Sequence, residues 1–219
     1  MKKNELARKL VTSIIETDVT EDAVRKFIKK AKEYPFRAIA VDLPYLEITK
    51  ELLQGTDTRV SAVASYPLGG MTTETKISQV EYAIDKKADE VDVSMNYNAI
   101  KSGDFATVLD DVKRVAEAAG DRIEVIMIPQ THILTIEEKI KVYSAILEGG
   151  VKAVKINSGF GWNTKPEDVI LIKREFGNKF LRIDVSGGVR TTEQALEFLK
   201  LGADYIHTST PDQVLEKAE

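Results

Sequence analysis

TIEEKIKVYSAILEGGVKAVKINSGFG, residues 135–161, reads as one helix, one buried strand and one glycine-rich turn. Thr135 and Glu138 form a capping box, and Ile136, Ile140, Tyr143 and Leu147 recur on one side of the helix that follows. Gly149 and Gly150 stop that helix. Val151–Ile156 is then a short apolar run of strand length, interrupted only by lysines, and Asn157-Ser158-Gly159 closes it with small, donor-rich residues. A strand end that opens into such a loop is where an α/β protein places its chemistry. Lys155 is the candidate nucleophile there. An amine in a low-dielectric site finds its charged form disfavoured, and the neutral amine can attack a carbonyl to give a Schiff base. A lysine leaning out to solvent from a strand end would give the same local pattern, so the rest of the chain has to decide.

The helix–strand alternation continues in both directions. Leu10–Ile15, Arg37–Leu43, Arg59–Tyr66, Asp89–Met95 and Arg122–Ile128 are strand candidates upstream, and Leu181–Val185 and Asp204–Thr208 lie downstream. Between them, Thr20–Tyr34, a short piece through Leu53, Thr73–Lys87 and Asp104–Ala119 show helical spacing. Thr164 with Glu167, and Thr191 with Gln194, repeat the capping box; Pro166 sits in a first turn, and Gly177 and Gly202 close the helices. Eight strands, each followed by a helix, over short links predict a single-domain (β/α)8 barrel covering residues 1–219 behind a short polar lead. A doubly wound sheet would more often carry a GxGxxG turn after its first strand, and this chain has none.

Composition narrows the function. The 219 residues include 31 Lys and Arg against 35 Asp and Glu, a net charge of −4, so no basic field exists to hold nucleic acid. There is no cysteine and there are only two histidines, His132 and His207, which excludes thiolate metal sites and predicts metal-free, cofactor-free chemistry. No apolar run approaches the roughly 18 residues of a membrane span, and the N-terminal MKKNELARKL lacks a signal-peptide core, so a cytoplasmic protein is expected.

A barrel brings strand ends together. Asp92, Lys155 and Asp184 each lie near the end of a different strand and converge on one mouth. Glu90, Asp92 and Ser94 share a face, as do Arg182 and Asp184, so the inward wall is polar; the deeper charges fit a buried ion-pair ladder such as Glu90 with Arg182. Asp92 and Asp184, nearer the mouth, are candidates for proton transfer. Ser158 and Gly159, Gly187 and Gly188, and Thr208 and Ser209 follow three consecutive strands with backbone and hydroxyl donors. They predict a site for a phosphorylated small molecule.

The segments ASYPLGG (64–70), DEVDVSMNYNAIKSGDF (89–105), VKAVKINSGF (151–160) and SGGVRT (186–191) resemble deoxyribose-phosphate aldolase, a class I aldolase family with a (β/α)8 barrel. The resemblance runs from about Asp18 to about Thr210. It implies Lys155 as the Schiff-base lysine toward acetaldehyde, Asp92 in proton transfer through water, and phosphate loops at Gly159, Gly187, Gly188 and Ser209. The chain departs from the family pattern in several places. Asp184 stands where a second lysine usually helps depress the nucleophile's pKa, Val11 and Thr12 stand near a usual aspartate motif, Gln130 replaces a usual glutamate, and His207 replaces a usual glycine. An ionised Asp184 would favour the ammonium form of Lys155, whereas a neutral one could act as a general acid. Three readings follow: an aldolase acting on deoxyribose 5-phosphate or a related sugar phosphate, a phosphosugar isomerase using Asp92 or Asp184 as base, and a non-catalytic sugar-phosphate binder. A homo-oligomer is compatible with each.

Overall fold

The computed structural model describes residues 1–219. Its strands are β1 (Leu10–Ile14), β2 (Ala38–Val41), β3 (Arg59–Ala64), β4 (Glu90–Ser94), β5 (Glu124–Ile128), β6 (Ala153–Lys155), β7 (Arg182–Ser186) and β8 (Tyr205–Thr208). They pair in parallel in chain order, and β8 closes on β1, so the predicted (β/α)8 barrel is present. The helices of the surrounding ring are α2 (Glu21–Ala31), α3 (Leu46–Leu52), α4 (Thr73–Asp85), α6 (Phe105–Ala119), α7 (Ile136–Glu148), α8 (Pro166–Phe176) and α9 (Thr192–Leu201). Three short helices complete it: α1 (Lys3–Ala7), α5 (Tyr97–Lys101) and α10 (Pro211–Val214).

Alternation along each strand separates two environments. Val91 and Val93 of β4, Val154 of β6, and Ile183 and Val185 of β7 point outward into the apolar layer beneath the helices. The opposite face holds Glu90, Asp92 and Ser94 with Lys155, Arg182 and Asp184, all buried. Lys155 lies beside Asp184 in the β6–β7 ladder, and Asp184 beside Tyr205 in the β7–β8 ladder.

Two local expectations are corrected. The polar lead is in part the helix α1, whose Leu6 and Ala7 are fully buried beneath the barrel. Thr164 is not the N-cap of α8. Lys165 takes that place, its backbone N–H donating to Asp168, while the Thr164 hydroxyl donates to the Ser186 carbonyl and accepts from Asn157 Nδ2 at 2.8 Å. Thr164 thus ties the loop after β6 to the end of β7 instead of starting a helix.

Candidate active site

A cavity of about 180 Å³ opens at the C-terminal ends of the strands. Its wall includes Lys155, Ser158, Gly159, Gly187, Gly188, Thr208 and Ser209, so every residue expected to contact phosphate lines the same space as the expected nucleophile. A larger hollow of about 680 Å³ lies at the opposite end of the barrel. Arg37, Arg59, Glu124 and Arg182 on its wall are engaged with one another and with Glu90, which gives that end the character of a structural charge cluster.

Lys155 is 2% exposed, and its Nζ donates to Asp92 Oδ2 at 2.9 Å. Asp92 is fully buried, and its Oδ1 has no partner within the chain. The amine therefore faces an acceptor for its proton, although Asp92, like Asp184, does not itself line the cavity. The Tyr66 ring lies 5.7 Å from Lys155 Nζ, within cation–π range. Its hydroxyl donates to the Ser158 carbonyl at 2.7 Å. Burial, reinforced by the Asp92 charge, pushes the Tyr66 phenol well above its usual value, so it remains a donor.

The phosphate-side loops are fixed by contacts among themselves. Gln130 Nε2 donates to Ser158 Oγ at 2.9 Å, and its Oε1 accepts from Ser158 N–H at 2.7 Å. Ser186 Oγ donates to the Ser158 carbonyl at 3.2 Å. Gly159 has φ +88°, and a Cβ on it would stand 2.7 Å from Ser186 Oγ; Gly187 has φ +98° and packs against the Trp162 carbonyl. Both positions therefore require glycine for conformation and for space. Arg190, on the loop after β7, adds a second basic side chain to this wall beside Lys155.

Asp184 is fully buried and does not line the cavity. Arg182 Nε donates to its Oδ1 at 2.9 Å and Nη2 to its Oδ2 at 2.7 Å, while His207 Nε2 lies 2.7 Å from Oδ2. Burial alone would raise its pKa; the guanidinium and the histidine overcome that and hold the carboxyl well below the usual carboxylate range. Asp184 is therefore ionised at neutral pH, which is the opposite of the protonated form a general acid needs. Arg182 also bonds Glu90 through Nη1 at 2.9 Å and Nη2 at 3.1 Å, the ladder that alternation along the strands predicted.

Of the residues that shape the site, Tyr66 lay within a quoted motif without a role, and Gln130 and His207 stood out only as departures. Ser13 and Glu16 also line the cavity and carried no signal in the sequence.

A family model described as DeoC/LacD family aldolase matches residues 12–201. The chain is 33% identical over 223 residues to a deoxyribose-phosphate aldolase of Aciduliprofundum boonei, covering 100% of this chain and 99% of that one. It is 36% identical over 209 residues to a deoxyribose-phosphate aldolase of Staphylococcus saprophyticus, covering 94% of each. A tetrameric deoxyribose phosphate aldolase structure from Aeropyrum pernix shares the fold, with TM-score 0.90 at 22% identity over 98% of this chain and 91% of that one.

Proposed function

Since the chain belongs to the DeoC/LacD aldolase family, we propose that it is a class I aldolase that cleaves 2-deoxy-D-ribose 5-phosphate to glyceraldehyde 3-phosphate and acetaldehyde. The observation that carries this reading is the buried Lys155–Asp92 pair set at 2.9 Å beneath a cavity whose other wall is made of backbone and hydroxyl donors.

In this reaction the Lys155 amine attacks the substrate C1 carbonyl, and Asp92 accepts the proton that Nζ must lose. Loss of water gives an iminium. The C2–C3 bond then breaks, and its electron pair moves into the iminium to leave an enamine on Lys155 and an aldehyde at C3. Protonation of the enamine at C2 and hydrolysis by water release acetaldehyde and restore the amine. Gly187, Gly188, Ser209 and the Ser158 and Thr208 hydroxyls receive the phosphate, with the Arg190 side chain supplying positive charge. The reading places the enzyme in the reducing cytoplasm, which suits a cysteine-free chain. It also extends to this chain a homo-oligomeric state, as in the A. pernix protein, which light scattering of the purified protein measures directly.

Borohydride reduction in the presence of acetaldehyde, followed by peptide mass analysis, tests the chemistry. A reduced adduct on Lys155, absent in Lys155→Met, is expected. An unmodified Lys155 in protein that turns over deoxyribose 5-phosphate would remove the Schiff base from the mechanism.

A further inference from the structure

Cleavage of the C2–C3 bond requires a base for the C3 hydroxyl, and the mechanism above does not name one. Of the ionisable groups on the cavity wall, Lys155 carries the imine, Tyr66 is held as a donor to Ser158, and Arg190 carries no lone pair, while Asp92 lies behind Lys155 and does not line the cavity. Glu16 lies on the segment after β1, outside any hydrogen bond to these groups. His207 remains. It projects from β8 into the cavity, its side chain is buried to 4% exposure, and its Nε2 rests on Asp184.

We infer that His207, oriented by Asp184, is the catalytic base that takes the proton of the substrate C3 hydroxyl; the inference rests on the aldolase reading. Asp184 Oδ2 accepts from Arg182, and the ionised carboxylate can only accept, so the ring must carry its hydrogen on Nε2. That tautomer leaves the lone pair on Nδ1, which has no partner within the chain. In the cleavage step Nδ1 takes the O3 proton, the O–H pair becomes the C3 carbonyl π bond, and the C2–C3 pair becomes the enamine. The resulting imidazolium is stabilised by the Asp184 carboxylate and returns the same proton to enamine C2, leaving His207 neutral for the next turnover. No other reactant is needed.

The geometry also gives Asp184 a purpose beside a nucleophilic lysine. Its charge is neutralised by Arg182 from its own strand and directed at His207, whereas Lys155 is bonded to Asp92 across the barrel. The charged and titratable groups around His207 are thus Asp184 and Arg182 of β7, Lys155 of β6, Asp92 of β4, Tyr66 and Arg190 of the mouth loops, and Glu16 after β1. Asp184 is a positioning residue, since it touches the ring and not the substrate.

The test compares the wild type with His207→Ala and with His207→Gln, which keeps a donor for Asp184 should the smaller side chain impair folding. In both variants the borohydride adduct of acetaldehyde on Lys155 should persist with KM little changed. The kcat for deoxyribose 5-phosphate should fall by about 10²–10⁴-fold, and added imidazole should restore part of the rate to His207→Ala. Wild-type turnover in either folded variant, or no rescue of His207→Ala by imidazole, would overturn the assignment while leaving the aldolase reading intact. Loss of the adduct together with turnover in both folded variants would also overturn it, by showing that His207 only shapes the Lys155 pocket. Absence of any adduct in the active wild type would instead remove the Schiff-base reading, and this assignment with it.

Discussion

Lys155 and Asp92 are each other's only charged partner, and this makes the pair a stability element. Lys155→Met should abolish the borohydride adduct and also lower stability by about 3–5 kcal/mol, because it strands a buried carboxylate. The double change Lys155→Met with Asp92→Leu should recover most of that loss in urea unfolding while remaining inactive, since removing both charges leaves nothing uncompensated. Asp184 gives a pH prediction. Its folded pKa lies below its unfolded value of about 3.9, so its contribution is fully present above that pH and is lost as the pH falls through the folded value. Asp184→Asn should therefore be less stable at pH 7 and show a flatter decline in unfolding free energy below about pH 4. At this scale the placement of several candidates was legible because strand alternation and strand ends are local signals: Lys155 closes β6, Asp92 is on the inward face of β4, and the six phosphate-side candidates follow β6, β7 and β8 onto one cavity wall. Tyr66 and His207 were not legible, because their roles come from contacts with Ser158 and Asp184, which are 92 and 23 residues away in the chain.

Among the elements, α4 and α6 are joined by an unusual contact. Lys76 is fully buried and donates to Asp111 at 2.5 Å, and Thr73 Oγ1 donates to the other carboxylate oxygen at 2.8 Å. Burial pulls the Lys76 pKa down against the opposing pull of Asp111, so the pair contributes less than its geometry suggests. Lys76→Met combined with Asp111→Leu should leave the melting temperature unchanged or raised, whereas Lys76→Met alone should lower stability by about 3–5 kcal/mol. Helices with a threonine cap and an apolar stripe, such as α7 and α9, were readable because both signals are local. Thr135→Ala should cost about 1 kcal/mol by removing one such signal, measurable as a small shift in the urea midpoint. The four- and five-residue helices α1, α5 and α10 are too short to display a period, and Thr164 misled because its hydroxyl found a partner on another strand.

Over the whole molecule the barrel divides into a reactive end and a structural end joined by a charged axis. Glu90 is fully buried and meets Arg37 at 3.4 Å, Arg59 at 3.3 Å and Arg182 at 2.9 Å. Glu90→Gln should leave Arg37, Arg59 and Arg182 sharing the partly exposed Glu124 at this end, cost about 3–5 kcal/mol and lower the melting temperature by roughly 6–20 °C, with KM little altered. The closed eight-strand plan was legible because apolar faces, breakers and caps recur along the whole chain. The charged axis was legible only in part: alternation showed which side chains point inward, but not that Arg182 would bridge Glu90 and Asp184.

The chain Arg182–Asp184–His207 has a consequence for how this sequence can change. Asp184→Lys alone would set a new cation against Arg182 and deprive His207 of its acceptor. His207→Gly alone would leave Asp184 with one partner fewer in a dry interior. Each single step passes through a damaged protein, so the two positions can be exchanged only together, and descendants of this chain are held to its own solution by the cost of the intermediate.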